Sequence, residues 1–451
     1  MKKLKKVTGL WLIMAATLFN ASLSAAQDVK KLNMKDAVKY SLENHPSNMT
    51  YYNNIKVAKQ RATEALSGYL PQINGTGTLD DNIKRQITVI PAGFISPKEI
   101  QLQLGTQYLT NLYGELDQVI YDQAQLDGLK ANVPNTQIAL LQKSKNDDDL
   151  VYNTATAYYQ VLIYKEQEKL LTENERKLFE ILTIQKLQYE KGVIKKVDYD
   201  RTEVNYKSIL SQKELAKTNI ELSMNQLKNA IGMPLENVIV IDDSLKTSQE
   251  PAPPALANNY NEKNNWDYKI QLQNVYLQQI DLSRKRDAFL PTFTGYARYG
   301  AQALDNNFEN QYKNFYDYSV IGVKLNVPVF SGFRRYSQLK QSEYNLSNAK
   351  VTLTENSNSL RLQMLNANTK LMSSYTTLIS NKENLDLAKD VLQTTTLQYQ
   401  QGVASSSDLL NSDYSLKEAQ SNYINSLYNY LISTLDIQKN QGTIKQYINQ
   451  L

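Results

Sequence analysis

The 451-residue chain has no cysteine and one histidine, His45. The first absence excludes a disulfide framework and a lipid anchor on cysteine, so the fold is held by packing or by a membrane. The second leaves metal clusters and histidine-based acid–base chemistry without their usual residues. Sixteen glycines and eleven prolines are about half the usual share, and so few breakers imply long uninterrupted elements. Beyond the first 26 residues no apolar run approaches the ~18 residues of a spanning helix. A mature chain that enters a membrane therefore enters it as a barrel. No G-x-S-x-G, phosphate loop or histidine pair is present, so no catalytic residue, cofactor or metal ligand is expected.

What is present begins with an export signal. Four lysines fall within Met1–Lys6, an apolar stretch follows from Val7 to Phe19, and Ser24-Ala25-Ala26 supplies small residues where a signal peptidase reads. Residues 1–26 are read as a signal peptide, with the mature chain starting at Gln27. Of the formal net charge of +5, these lysines account for four, which leaves about +1. No basic excess remains for a nucleic-acid partner.

The rest reads as two copies of one plan, residues 27–234 and 264–442, with 235–263 as an inter-repeat linker and 443–451 as a tail. A helix from about Met34 to Ser67 ends in Leu70-Pro71, and one from about Asn264 to Asp287 ends in Leu290-Pro291. Proline stops each helix and turns its predecessor toward extended geometry. Two strands follow in each copy, near Ile73–Asp81 and Gly105–Tyr121, then near Thr292–Ala303 and Tyr316–Phe330. In the last, Ile321, Val323, Leu325, Val327 and Val329 alternate with Gly322, Lys324, Asn326 and Pro328, a period of two with one apolar face. Between strands one and two, Asn82–Gln103 holds Pro91, Gly93 and Pro97 and reads as a surface loop. The 31 tyrosines suit surfaces that are half apolar and half wet.

Long helices follow the strands. Arg335–Gln401 has no proline or glycine and would make roughly 100 Å of helix. Gly402-Val403 interrupts it, and helix resumes over about Ser406–Asn440. The first copy repeats the break at Gly192-Val193 and resumes over about Val197–Ile231. Ile209, Ala216, Ile220, Met224, Leu227 and Ile231 form one heptad-like seam; Leu416, Ala419, Tyr423, Leu427 and Tyr430 form the other. A small-residue row, Ala419, Ser426 and Ser433, suggests close packing on a further face. Glu250–Ala255 is a proline-rich linker, and Val238–Asp242 reads as a short strand outside the repeated plan.

The breaks match in detail: Tyr189-Glu-Lys-Gly192-Val193 against Tyr399-Gln-Gln-Gly402-Val403, with Asp198 and Asp408 six residues after each glycine. With Leu32-Asn-Met-Lys-Asp-Ala-Val, Gly232-Met-Pro234 and Val327-Pro-Val-Phe-Ser-Gly-Phe-Arg-Arg335, in this order, the chain resembles the outer membrane efflux protein (TolC-like) family over nearly its whole mature length. Gln118-Val119-Ile120-Tyr121 departs by lacking the proline seen at Pro328.

The resemblance implies an α+β membrane protein: a trimeric twelve-stranded outer-membrane β-barrel, four strands per protomer, continued by a long α-helical periplasmic barrel of coiled-coil hairpins. Independently, four strands cannot close a barrel, and unpaired edges cannot face lipid. The implied function is the exit duct of a tripartite efflux or type I secretion system. Its implied partners are two further copies in a homotrimer, outer-membrane lipid, a periplasmic adaptor (membrane fusion) protein and an inner-membrane transporter. Gly192 and Gly402 would mark the hairpin tips. By the family match Asp198 and Asp408 fall on tip aspartates, and Tyr399 on a tyrosine of the closing network. Ala404 stands where the family has arginine and Asn411 where it has an acid, so any closing network here uses other partners. Helix capping competes with a gate role at both aspartates. Lys195-Lys196 is either a solvated turn or an adaptor contact, and His45 reads as structural. An enzyme and a purely structural periplasmic coiled coil are the competing classes. Heat-modified gel migration separates the latter from a barrel trimer.

Overall fold

A computed structural model describes residues 30–93, 97–241, 253–254 and 260–450. The signal peptide, most of the Glu250–Ala255 linker and Asp242 lie outside the described residues. Along the chain run β1 (Lys30–Leu32), α1 (Met34–Asn44), α2 (Pro46–Ser67), β2 (Gln72–Asp81), β3 (Ile87–Ile90), β4 (Ile100–Gln103), β5 (Tyr108–Tyr121), α3 (Gln123–Lys130), α4 (Asn132–Glu190) and α5 (Lys196–Ile231). The second half holds β6 (Ile239–Ile241), α6 (Trp266–Asp287), β7 (Thr292–Asp305), β8 (Tyr316–Asn326), α7 (Arg334–Gln400), α8 (Ser406–Gln441) and α9 (Ile444–Gln450). Two compact units result, one of residues 1–50, 143–266 and 358–451, the other of 51–142 and 267–357. They do not coincide with the sequence repeats, since each unit takes pieces from both.

The second unit carries a four-stranded antiparallel sheet in the order β2-β5-β7-β8. Each repeat supplies one hairpin, and β5 against β7 joins them. The register sorts the side chains. Ile73, Leu79, Leu112, Leu116, Ala297, Ala301, Ile321, Val323 and Leu325 share one face. Asn74, Thr76, Asn111, Glu115, Arg298 and Lys324 share the other. On that polar face Arg298 Nη2 lies 2.8 Å from Glu115 Oε2 and the guanidinium sits 4.6 Å from the Tyr113 ring centre. Tyr318 donates its hydroxyl to Asn111 Oδ1 at 2.9 Å. One apolar and one polar face is the pattern of a membrane barrel wall.

β2 and β8 are the edges, and the apolar side chains beside them are open: Ile73 is 75% exposed, Ile321 87% and Val329 91%. The strand expected to reach Phe330 stops at Asn326. Its alternation continues, but β8 is an edge of the sheet, and among the described residues no strand pairs on its far side. The expected loop Asn82–Gln103 also needs correction. β3 and β4 form an antiparallel hairpin, Ile87↔Gln103 to Ile90↔Ile100, because two short runs, Ile-Thr-Val-Ile and Ile-Gln-Leu-Gln, flank the breakers and can pair across them.

The first unit holds the chain's principal hydrophobic core. β1 and β6 pair in parallel, Leu32 opposite Ile241, as the Val238–Asp242 reading anticipates for its described residues. Against them pack Ala37 and Val38 of α1, Val151, Tyr158 and Leu162 of α4, Leu227 and Ile231 of α5, and Leu435 of α8. The segment read as a tail is helix α9, with Ile444 and Ile448 buried in the same core. The expected single helix Met34–Ser67 is two. Pro46 forces His45 extended (φ −64, ψ 131). His45 Nδ1 accepts the Ser47 N–H at 3.2 Å, a local bond at the start of α2, and burial holds its pKa below the ordinary value.

The returning helices α5 and α8 also refine the seams. On α5 the buried positions Thr202, Ile209, Ala216 and Ser223 step by seven and continue to Leu227 and Ile231. On α8 the stripe named from sequence keeps Leu416 buried, whereas Ala419 and Tyr423 are half-buried beside Gln420 and Ile424. Ser412, Ser426 and Ser433, 210 residues after Thr202, Ala216 and Ser223, are buried. The small-residue row is thus the second copy's version of the first copy's seam, not a separate face.

Candidate functional site: the hairpin tips

Both helix breaks are left-handed glycine caps. Gly192 has φ 73 and Gly402 φ 74, a region strained for any residue with a Cβ. Val193 N–H donates to the Gln188 carbonyl at 2.8 Å and Val403 N–H to that of Gln398 at 2.9 Å, the closing bond of a Schellman motif. The helices then restart at Lys196 and Ser406, and each runs 36 residues. Each ends on another left-handed glycine, Gly232 at φ 72 and Gly442 at φ 73. The two hairpins share one backbone design, 210 residues apart.

Their aspartates do not share one chemistry. Asp408 belongs to a capping box: its carboxylate accepts the Ser405 N–H at 2.9 Å and the Ser405 hydroxyl at 2.7 Å, and Asp408 N–H donates to Ser405 Oγ at 3.2 Å. These bonds to Ser405, the hydroxyl first, hold the Asp408 carboxyl below the usual carboxylate range. At the first tip the cap position is Lys195, whose side chain makes no cap bond. Asp198 lies 3.8 Å from Arg201 Nη1 instead. Asp408 is exposed and Asp198 half-buried.

Tyr399 sits in a network that ties the second hairpin to the first. Its hydroxyl accepts from Gln185 Nε2 at 3.2 Å and donates to Gln188 Oε1 at 3.3 Å. Gln185 is fully buried and also donates to Ser406 Oγ at 3.1 Å. Nearer α5, Arg201 Nη1 donates to Ser407 Oγ at 3.4 Å and the Tyr414 hydroxyl to Asn205 Oδ1 at 2.6 Å. Asn174 Nδ2 and Gln420 Oε1 add a buried bond of 2.8 Å between α4 and α8. Amides and hydroxyls thus occupy the network in which Ala404 and Asn411 take no side-chain part. Ala404 contributes its N–H to the Gln398 carbonyl at 3.2 Å. The structure brings Tyr399 close to the second restart at Ser406, and leaves the Asp198 and Asp408 carboxylates outside the Gln185–Tyr399 bonds. Gln185 and Gln188 were not singled out from sequence. The available signal was spacing, since Gln185 follows the buried Leu178 by seven and is an amide at a seam position.

Comparison with known proteins identifies the family. The family model described as outer membrane efflux protein matches residues 38–233 and 270–443. The outer membrane protein TolC of Vibrio cholerae is 24% identical over 426 residues, covering 92% of this chain and 91% of that one. The alkaline protease secretion protein AprF of Pseudomonas aeruginosa is 21% identical over 319 residues, 70% of this chain and 66% of that one. The crystal structure of the outer membrane protein VceC of Vibrio cholerae superposes with a TM-score of 0.72 at 14% identity. It covers 91% of this chain and 96% of VceC, which establishes the shared fold. With the family model matched in both halves, the chain belongs to the outer membrane efflux protein family, and its place is the outer membrane.

Proposed function

We propose that three copies of this chain form the exit duct of a tripartite efflux or type I secretion system. Cargo would pass from an inner-membrane transporter and a periplasmic adaptor to the outside. One observation carries the reading: an open four-stranded sheet with an apolar and a polar face, in a chain that also folds two glycine-capped helical hairpins of one design. Sheet edges exposed to lipid are untenable, and three copies supply the twelve strands of a closed wall. Repeats 27–234 and 264–442 each give half of a protomer's wall. The duct needs no catalytic group; its chemistry is lining polarity and a closable end.

The closing element in this reading is the tip network of Tyr399, Gln185, Gln188 and Ser406. Asp198 and Asp408, each tripled by the trimer, attract cations to the entrance. Lys195 and Lys196 offer the adaptor a contact. The test is conductance: purified protein in planar bilayers should insert as a heat-modifiable trimer and conduct weakly until the tip network is cut. A soluble monomer with no conductance would refute the duct.

A further inference from the structure

From the internal repeat we infer that β8 of one protomer pairs antiparallel with β2 of the next in one defined register. In it Val323 faces Leu79, Leu325 faces Gly77 and Pro328 faces Asn74. This rests on the trimeric reading above and adds to it the partner surface and its residue-by-residue fit.

The repeat supplies the register. Leu70-Pro71 and Leu290-Pro291 are 220 residues apart, so β2 corresponds to β7. The hairpin pairings Gln72↔Asp117 and Thr292↔Asn326 then set Asp117 on Asn326, 209 residues apart, so β5 corresponds to β8. Within the chain β5 pairs with β7, Gly114 opposite Tyr299 and Leu116 opposite Ala297. The corresponding pairing is β8 with β2. These are opposite edges of the one sheet, so only a second copy can supply it. Adding 209 on one strand and subtracting 220 on the other turns Gly114↔Tyr299 into Val323↔Leu79, and Leu116↔Ala297 into Leu325↔Gly77.

Three independent features fit this transfer. The first is parity. Val323, Leu325, Gly77 and Leu79 all lie on the apolar face in the observed registers, whereas a slip of one residue would turn every side chain of the neighbour into the wrong medium. Second, the apolar alternation runs past the end of β8 through Val327 and Val329. Val329 and Phe330 are 91% and 77% exposed, as strand residues awaiting a partner would be. Third, the transfer explains Pro328. Its counterpart Val119 lies where the β5–β7 register shifts, between Val119 and Tyr121. A bulge is one of the few places in a sheet that tolerates the missing N–H of proline. The counterpart pairings are Pro328 with Asn74 and Phe330 with Ile73, leaving Val329 as the bulged residue.

The absence of cysteine makes the test direct. Leu79→Cys with Val323→Cys in the full-length chain should give covalent dimers and trimers on oxidation in outer membranes. Yields should be several-fold above those of Val323→Cys paired with Gly77→Cys or with Asp81→Cys. Within one protomer the two sites lie three strand spacings apart across the sheet, about 14 Å, and are also offset along it, since Leu79 lines up through Thr110 with Ala303 and Val323 with Gly295; they are far beyond disulfide reach, so any bridge reports a neighbour. Leu325→Cys with Gly77→Cys repeats the test should the first pair prevent assembly. Faster bridging by a shifted pair overturns the register, as does no bridging by any pair in protein that still migrates as a heat-modifiable trimer. Protein that is monomeric in membranes overturns the trimeric reading itself.

Discussion

Ser405 and Asp408 hold each other reciprocally, the carboxylate taking the serine N–H and hydroxyl while Asp408 N–H returns a bond to Ser405 Oγ. The carboxylate is nonetheless exposed, so capping and a charge at the entrance are compatible. Asparagine keeps an acceptor for the cap and removes the charge. Asp408→Asn should therefore leave thermal stability close to wild type while weakening cation preference and block by multivalent cations in single-channel recordings. Unchanged selectivity would mark Asp408 as a cap alone. The pH dependence has a definite sign. The folded-state pKa is depressed, so the cap's contribution is complete above the ordinary carboxylate pKa and is lost as pH falls through the lower folded value. Cation block should persist down into that same acid range.

Asp198 should behave differently. It caps nothing through its side chain, and its ion pair with Arg201 at 3.8 Å is partly solvated, contributing at most about 1 kcal/mol. Asp198→Asn should change selectivity with little effect on stability, while Arg201→Ala should strengthen cation preference by removing the neighbouring positive charge. Bi-ionic reversal potentials for the two variants should move in opposite directions; movement in the same direction would contradict a role for this charge.

Tyr399→Phe removes one hydroxyl and two hydrogen bonds, to Gln185 and to Gln188. At about 1 kcal/mol net for each, the closed arrangement loses roughly 1–2 kcal/mol per protomer, a factor of about 5–30 in the closed-to-open ratio. Mean conductance in bilayers should rise accordingly, with unchanged heat-modified migration. If conductance stays at the wild-type level, the network braces the tip without closing it.

Much of this was legible in residues. Gly192 and Gly402 mark the tips because only a left-handed cap ends such long helices cleanly, and the alternation at Ile321–Leu325 marks a wall strand. The partners of Tyr399 were not legible. Periodicity tells which face of α4 is covered, not that Gln185 rather than another seam residue meets the tyrosine. The β3–β4 hairpin was missed because Pro91, Gly93 and Pro97 are strong turn signals and Ile87–Ile90 is a run of four. β8 was read too long because its apolar alternation runs on past Asn326, where no described strand pairs with it. The Ser426–Ser433 row was assigned to a separate face because serine and isoleucine look unlike; the offset of 210 from Ala216 and Ser223 shows that they hold one position.

The polar face of the sheet carries its own test. Gly300 lies opposite Tyr113 in the β5–β7 register. A Cβ there would come within 2.5 Å of Tyr113 Cβ and 2.7 Å of the Leu112 carbonyl. Neither atom is the movable end of a side chain, so the strands must part. Gly114, one residue along β5 and on the apolar face, would place its Cβ with nothing within 4 Å. Both substitutions have the same effect on the unfolded chain, favouring the folded state slightly, so their difference isolates the contact. Gly300→Ala should lower barrel stability by about 1–3 kcal/mol and reduce the heat-resistant trimer recovered from membranes, whereas Gly114→Ala should stay within about 0.5 kcal/mol of wild type. The measurement is the temperature at which each trimer dissociates in detergent. Equal midpoints would mean that β5 and β7 do not approach as closely as the Tyr113–Gly300 pairing requires. The register transferred from that pair to the seam between protomers would then lose its basis.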